Sequence, residues 1–226
     1  FNVTEGKSSY YESKSYEILV ERAYYLMPTK LLLEYLPHTL IHDWTFNATF
    51  IVGDTSRHVH TNGSAATSDV LGAIRIASFF SRIAKEVDVR TYTDAQVSSY
   101  SKEGLIVRWY LIQTPCIVVV GGPGVNYLSL YFNSSLPFNW IFIPNTKSVI
   151  RSSLTGKEYA CGRDNRGRLY DYAIIAILNH LNKRVLLAWG LSRYGTQAAC
   201  YVIQKYEKFK DTLKGAAIMI KWVDLN

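Results

Sequence analysis

The apolar positions of this chain form short runs in which strand-like and helix-like spacings alternate. Residues 46–52 alternate apolar and polar side chains before becoming continuously apolar, which predicts a strand ending at Gly53. The polar loop that follows leads to Ser68 and Asp69, either of which is suited to cap the next helix. In that helix Val70, Ile74, Ala77 and Ile83 share one face, which we expect to be the core face.

The same order of strand, glycine loop and helix recurs twice. The run CIVVV (116–120) is continuously apolar, as expected of a strand buried on both faces, and GGPGVN follows it at 121–126. Residues 183–189 predict a third strand, and the loop GLSRYGT leads from it into a helix over 197–209. Strands alternating with helices predict an α/β fold with a mainly parallel sheet, Rossmann-like or flavodoxin-like, in three layers.

Two other regions depart from this alternation. Residues 1–45 predict an N-terminal helical segment, because Tyr16, Leu19, Val20 and Ala23 recur at helical spacing. Residues 138–178 contain short apolar runs separated by turn formers and predict a small antiparallel, hairpin-like insertion. Because no low-complexity linker or repeat divides the chain, we expect residues 1–226 to form a single α/β domain.

Composition restricts the class of protein. With 226 residues, 48% hydrophobic and 19% charged side chains, the chain is globular rather than disordered, and no apolar run reaches the length of a membrane span. The net charge is +7, and residues 111–226 carry the excess, which could attract anionic glycans or other anionic partners. No nucleic-acid-binding signature accompanies this charge, so it is more simply explained as a solvated basic face.

Catalytic and metal signatures are weak, and we expect no enzyme activity, no metal and no cofactor. His58 and His60 alternate and could share one face, but no third ligand stands at motif spacing. Cys116 lies in a buried strand, where an inert thiol is expected. Asp54 and Asp69 flank one loop and could form a carboxylate pair, although Asp69 at a helix start is more simply a cap.

The loops after the three strands are where a ligand would bind, because ligands of open parallel sheets lie beyond the carboxyl ends of the strands. Glycines permit close approach of the backbone there, and helix amides could hold an anion. GGPGVN departs from the known phosphate-binding motifs, so a purely structural turn is an equally good interpretation. The candidate ligand-binding residues are Gly53, Asp54, Ser68, Asp69, Gly121, Gly122, Gly124, Asn126, Tyr194, Gly195 and Thr196.

Other features indicate an extracellular surface. Tyrosine is abundant, with 17 residues, and four N-glycosylation sequons begin at Asn2, Asn47, Asn62 and Asn133. The chain begins at Phe1 rather than Met, which predicts a processed or excised segment of a longer protein. The sequence leaves open whether Cys161 and Cys200 form a disulfide.

Three of these motifs together resemble archaeal surface-layer (S-layer) proteins. The segment IVGDTSRHVHTNGSAATSDVLGAIRIASFF, the turn carried by Gly121, Gly122, Pro123 and Asn126, and the GT-x-A-A helix at Gly195 and Thr196 are similar to motifs of that family. The resemblance implies a Rossmann-like, secreted and glycosylated domain that self-assembles or contacts other cell-surface proteins, without enzyme activity. The alternative is a cytoplasmic sensor that binds a nucleotide or phosphorylated compound in the glycine loops.

Overall fold

A computed structural model describes residues 2–7, 16–24, 33–58, 61, 63–143 and 148–224, with only the backbone described for residues 2–7 and 16–24. These ranges contain fourteen strands: β1 (Asn2–Lys7), β2 (Tyr16–Tyr24), β3 (Thr45–Val52), β4 (Glu86–Thr93), β5 (Ser98–Ser101), β6 (Gly104–Val107), β7 (Cys116–Val120), β8 (Phe138–Ile141), β9 (Val149–Ser152), β10 (Glu158–Tyr159), β11 (Gly162–Arg163), β12 (Leu169–His180), β13 (Lys183–Gly190) and β14 (Ala217–Asp224). The α-helices within the same ranges are α1 (Leu36–Leu40), α2 (Thr67–Ser81), α3 (Asp94–Val97), α4 (Tyr127–Phe132), α5 (Arg193–Gln204) and α6 (Tyr206–Phe209).

One mixed sheet organises the molecule. Its strand order is β1-β2-β14-β12-β13-β7-β3-β4, with β11 added beside β12. Strands β13, β7, β3 and β4 run parallel, whereas β12, β14, β2 and β1 extend the sheet through antiparallel pairs. The α/β class with a parallel central region is therefore confirmed, and antiparallel strands form the other half of the sheet.

The two faces of this sheet bury separate apolar clusters. On one face α2 packs over β3 and β7, while α5 packs over β13, β12 and β14. On the other face the core includes Leu128 and Phe132 of α4 and Phe138 and Trp140 of β8. All five residues of β7 are buried, as expected for a strand that is covered on both faces.

The helix predicted across residues 16–26 is wrong, because residues 16–24 form strand β2. Residues 16–23 of this strand pair antiparallel with β14, and β1 pairs with its other side. Helical spacing in the sequence was overridden by a tertiary partner nearly 200 residues away, a contact that no local pattern reports. In the rest of the N-terminal segment, Leu36–Leu40 is helical.

The insertion predicted for residues 138–178 is only partly present. Strands β8, β9 and β10 do form a separate antiparallel sheet. Residues 169–180, however, belong to β12, a long buried strand at the centre of the main sheet. The tight turn that joins β12 to β13 has positive φ at Leu181 and Asn182, a hairpin conformation that the sequence does not mark with glycine.

The face assigned to α2 is only partly right, because Ala77 and Ile83 pack against the core but Val70 and Ile74 do not. Gly72, Ala73, Ile76, Phe79 and Phe80 are buried, whereas Val70 and Ile74 are exposed. Gly72 lies on the α5 side, where an added Cβ would come within 2.7 Å of Sγ of Cys200. Packing against this second helix rotates α2, which turns Val70 and Ile74 away from the core.

Candidate functional site

The three predicted glycine loops meet at the carboxyl ends of β3, β7 and β13, where they pack against one another. An added Cβ at Gly53 would clash with the Val125 carbonyl, and one at Gly122 would lie 2.8 Å from the Gly190 carbonyl. Gly190 in turn lies directly against the backbone of Gly195. The glycines at these positions therefore allow the chain to approach its own backbone.

At the start of α4, the amide groups are bound by side chains of the protein. Asn126 is the N-cap, and its Oδ1 accepts hydrogen bonds from the backbone N–H groups of Leu128 (2.9 Å) and Ser129 (3.3 Å). Its Nδ2 donates to the carbonyls of Val120 and Ile51. Asn126 thus joins the helix to two parallel strands and is not available to a ligand.

Asp94, which the sequence analysis did not single out, is fully buried at the same helix start. Its Oδ2 accepts from the Tyr127 N–H (2.7 Å) and from Nε2 of His58 (2.7 Å), and its Oδ1 accepts from the Asp54 N–H (2.7 Å). One carboxylate therefore joins α3, α4 and the loop after β3. The Asp94 carboxylate occupies the position in which an external anion would bind this helix.

His58 is held between two acceptors. Its Nε2 faces the Asp94 carboxylate, and its Nδ1 faces the Gly63 carbonyl at 3.2 Å. Because neither partner can donate, both bonds form only when the ring carries two protons. Burial lowers the pKa of His58, but the Asp94 hydrogen bond and charge outweigh it, and the net pKa is raised.

The start of α5 is bound in the same way by Asp171, a buried residue of β12. Its Oδ2 accepts from Oγ of Ser192 (2.6 Å), from the Ser192 N–H (3.1 Å) and from the Gly195 N–H (2.7 Å). The Thr196 hydroxyl accepts from the Gly190 N–H at 3.0 Å. Burial raises the pKa of Asp171, and the hydrogen bonds from Ser192 and Gly195 oppose that rise.

The start of α2 differs from the expected cap. The N-cap is Ala66, with no side-chain cap hydrogen bond, so neither Ser68 nor Asp69 caps the helix. Asp69 lies in the first turn, 97% buried, with Oδ1 at 3.5 Å from the Ser68 hydroxyl. Burial raises its pKa to about 6, against weaker lowering by the Ala66 backbone and Ser68 hydrogen bonds.

A cleft of about 300 Å³ opens between the starts of α2 and α5. Of the predicted site residues, Asp69, Gly122, Gly124 and Thr196 line it. The described residues lining it that the sequence analysis missed are Thr61, Gly63, Ser64, Ala66, Val125, Trp140, Phe142, Ser148, Gly190, Leu191, Ser192 and Arg193.

The other predicted site residues lie in the surrounding structure. Gly53, Gly121, Asn126 and Gly195 are buried among the crossing loops. Ser68 is buried in α2, and Tyr194 stacks on Trp222 with ring centroids 5.2 Å apart. Asp54 accepts from the Ser56 N–H and hydroxyl; these bonds lower its pKa. Because its carboxylate accepts these hydrogen bonds from Ser56, Asp54 does not form the predicted carboxylate pair with Asp69.

Of the two sequon asparagines whose side chains are described, Asn133 is hydrogen-bonded to the protein and Asn47 lies within a strand. Nδ2 of Asn133 donates to the Trp140 carbonyl (2.9 Å), and its Oδ1 accepts from the Trp140 N–H (2.7 Å). A glycan would replace one of the two N–H groups of this nitrogen, which already donates to β8. Asn47 is half-buried within β3. The side chains of Asn2 and Asn62 lie outside the described residues.

The cysteines and histidines provide no assembled metal site in the described part of the chain. Cys116 and Cys200 carry buried free thiols, so Cys161 and Cys200 do not form a disulfide. Burial raises the pKa of the Cys116 thiol to about 11 and also raises that of Cys200. Over the described residues no three His, Cys, Asp or Glu side chains cluster as metal ligands, and His60 lies outside that range.

Comparison with known proteins adds no functional assignment to this geometry. In the described ranges, no helix combines the length and apolarity that crossing a bilayer requires. No protein-family model and no curated protein sequence matches the chain.

Proposed function

We propose that this protein is a non-enzymatic structural or interaction domain of the cell surface, related to archaeal S-layer domains and built on a Rossmann-like arrangement. The order of its three strand–loop–helix motifs supports the family assignment. The helices over one face of the parallel strands support the Rossmann-like description. On this proposal the domain is secreted and associates with copies of itself or with other surface proteins.

The observation that carries the proposal is the internal use of the loop amides. The buried carboxylates of Asp94 and Asp171 accept hydrogen bonds from the Tyr127 N–H of α4 and the Gly195 N–H of α5. A phosphate would have to displace these carboxylates and would meet their negative charge at close range. The loops at the carboxyl ends of the strands are therefore better suited to connect strands and helices rigidly than to bind an anion.

Exposed apolar side chains give the association part of the proposal its physical basis. Of the twelve large apolar side chains with the greatest exposure in the described ranges, five lie on α2 and β4: Val70, Leu71, Ile74, Val87 and Val89. Clustering of this kind is typical of protein–protein contact surfaces. On this proposal, glycans are carried by Asn2 and Asn62 rather than by Asn47 and Asn133.

Sedimentation velocity on the purified chain tests the proposal, together with thermal unfolding in a panel of nucleotides and phosphorylated compounds. We expect concentration-dependent association and no stabilisation by the panel. A strictly monomeric chain that a nucleotide stabilises by about 2.7 kcal/mol at 100 times its Kd would overturn the proposal in favour of the sensor. Intact-mass measurement of native material tests the glycans, because a bare polypeptide mass contradicts them.

The cleft supports a second candidate, binding of a small ligand. Its walls combine the buried Asp69 carboxyl with the stacked rings of Trp140 and Phe142, whose centroids are 5.7 Å apart. Aromatic and hydrogen-bonding groups of this kind suit a neutral polar compound better than a phosphate. Isothermal titration with neutral saccharides and nucleosides, repeated on Gly124→Trp to fill the cleft, separates this candidate from the structural role.

A further inference from the structure

Strand β4 lies at one end of the main sheet, and no strand in the described part of the chain pairs with its outer side. Among the described residues it pairs with β3 alone. Six of the eight residues of this strand, 86–91, are exposed. Its parallel register with β3 continues without a break from Thr45–Glu86 to Val52–Thr93. It contains no proline and no bulge, two devices by which proteins protect sheet edges from pairing.

The apolar side chains of β4 continue the buried face of the sheet. Val87 is level with Phe46 and Val89 with Ala48, and both of these β3 residues are core residues beneath α2. Residues level with each other in a sheet share a face, so the two valines project toward the α2 side. They nevertheless remain 45% and 36% exposed, because α2 packs over β3 and β7 and stops short of β4.

One flank of helix α2 carries further exposed apolar side chains beside this edge. Its Gly72 packs on Cys200 and its Phe79 on Tyr206, so this flank faces α5 and α6. Val70 and Ile74 lie on the opposite flank, toward β4, and are 44% and 58% exposed. We call Val70, Ile74, Val87 and Val89 the edge patch. The edge patch therefore consists of exposed aliphatic side chains, of the kind usually buried in a core, at the end of the main sheet.

The charges on the other face of β4 identify the occupant. In an antiparallel pair of identical strands, only a register centred on a residue keeps the valines of both copies on one face. Centring on Asp88 places Glu86 opposite Arg90 but Asp88 opposite itself, and centring on Arg90 places Arg90 opposite itself; like charges directly opposite are unfavourable. Centring on Val89 instead places Asp88 opposite Arg90 of the second copy, twice by symmetry, and Val87 opposite Thr91. Of these three registers, only the Val89-centred one forms opposite-charge pairs without a like-charge pair.

We propose that β4 is a self-association edge, at which two copies of this chain pair antiparallel about a twofold axis at Val89. The inference rests on the proposed function and specifies its contact surface. The two sheets become continuous, and the α2 flanks carrying Val70 and Ile74 border the paired valines from either side. An isologous contact of this kind closes a dimer.

Charge exchange tests both the edge and its register. In Asp88→Arg the pair becomes Arg opposite Arg, and in Arg90→Asp it becomes Asp opposite Asp. We expect each variant to weaken the dimer by about tenfold or more in Kd, measured by sedimentation velocity. The double variant Asp88→Arg/Arg90→Asp should restore it, and an equimolar mixture of the two single variants should form a heterodimer. Asp211→Arg, an exposed change after α6, is the matched control.

The outcomes separate the edge from the proposed function. Wild type that associates while both single variants associate equally well overturns the β4 edge and leaves self-association in place. Single variants that are weakened without rescue in the double variant or the mixture overturn the Val89-centred register. A wild-type chain that stays monomeric over the concentration series overturns the edge together with self-association. Circular dichroism of each variant verifies that its fold is retained.

Discussion

Backbone N–H groups at the starts of α4 and α5 are both hydrogen-bonded within the protein, but the carboxylates that bind them have different additional partners. At each, a buried carboxylate from a distant segment accepts hydrogen bonds from the first helix amides: Asp94 for α4 and Asp171 for α5. Asp94 also binds the imidazole of His58, whereas Asp171 binds the neutral hydroxyl of Ser192. The first junction therefore includes a basic donor that loses its charge as pH rises, whereas the donors of the second junction are neutral.

The two junctions therefore differ in how their stability depends on pH. The Ser192–Asp171 junction joins β12 to α5 with donors whose charge does not change near neutrality. The His58–Asp94 junction holds the loop after β3 against α4 and is strongest when the imidazole is charged. Loss of that charge would loosen one wall of the cleft while the α5 wall stays in place, because Thr61 and Gly63 of this loop line the cleft.

The largest expected effect comes from removing the two carboxylates in turn. Asp94→Asn leaves one acceptor for the Tyr127 and Asp54 N–H groups and breaks a buried ion pair, so we expect a loss of about 3 to 5 kcal/mol in unfolding free energy. Asp171→Asn faces only neutral donors and should cost about 1 to 3 kcal/mol. Urea unfolding of both variants measures the contrast. Equal losses would contradict the distinction between the junctions.

His58→Gln should reveal the pH dependence of the first junction. Because the folded pKa of His58 is raised above its ordinary 6.5, its stabilisation is complete below pH 6.5 and is lost as pH rises through the folded pKa. The variant should cost about 1.5 to 3 kcal/mol in acid and progressively less in alkali. Unfolding free energies over a pH series provide the test, with Ser192→Ala as the control. A cost independent of pH would show that the ring is not charged.

Asp69 at the start of α2 provides a third case, a buried carboxyl with one weak side-chain partner. Its folded pKa of about 6 means that stability falls as pH rises from about 4 to about 6, because ionisation is harder in the folded protein. Asp69→Asn should remove this dependence and stabilise the protein at pH 7 by about 2 to 3 kcal/mol. Thermal unfolding at pH 4 and pH 7 measures it. Asp211→Asn, at an exposed position, should show no such gain.

The smallest effect concerns the α5 cap itself. Ser192→Ala removes the hydroxyl that donates to Asp171 and accepts from the Tyr194 N–H at 3.3 Å. A lost N-cap of this kind costs about 1 kcal/mol, and the cost should be larger at alkaline pH than in acid, because the Ser192 hydroxyl favours the ionised form of Asp171. Chemical denaturation at two pH values measures both points. A cost that grew toward acid would contradict this role of the hydroxyl.

Sequence patterns were sufficient where the information is local. The continuous run at Cys116–Val120 and the alternation before Gly53 predicted buried strands, and glycines predicted three tight loops at one edge of the sheet. The periodicity of α2 predicted a helix but not its rotation, because α5 decides which flank is covered. Nothing local distinguished Asp94 or Asp171 from surface aspartates, since their partners lie 33 and 24 residues away at Tyr127 and Gly195.

The sequence by itself determined the alternation of strands and helices, the positions of the crossovers and the lack of a recognisable catalytic motif. These depend on the spacing of apolar side chains and on the conformational freedom of glycine, which act over a few residues. The tertiary structure alone decided that β2 is a strand, that the helix starts are bound by internal carboxylates and that β4 is the last of the described strands at its end of the sheet. Each of these depends on groups distant in sequence that become neighbours only when the sheet forms.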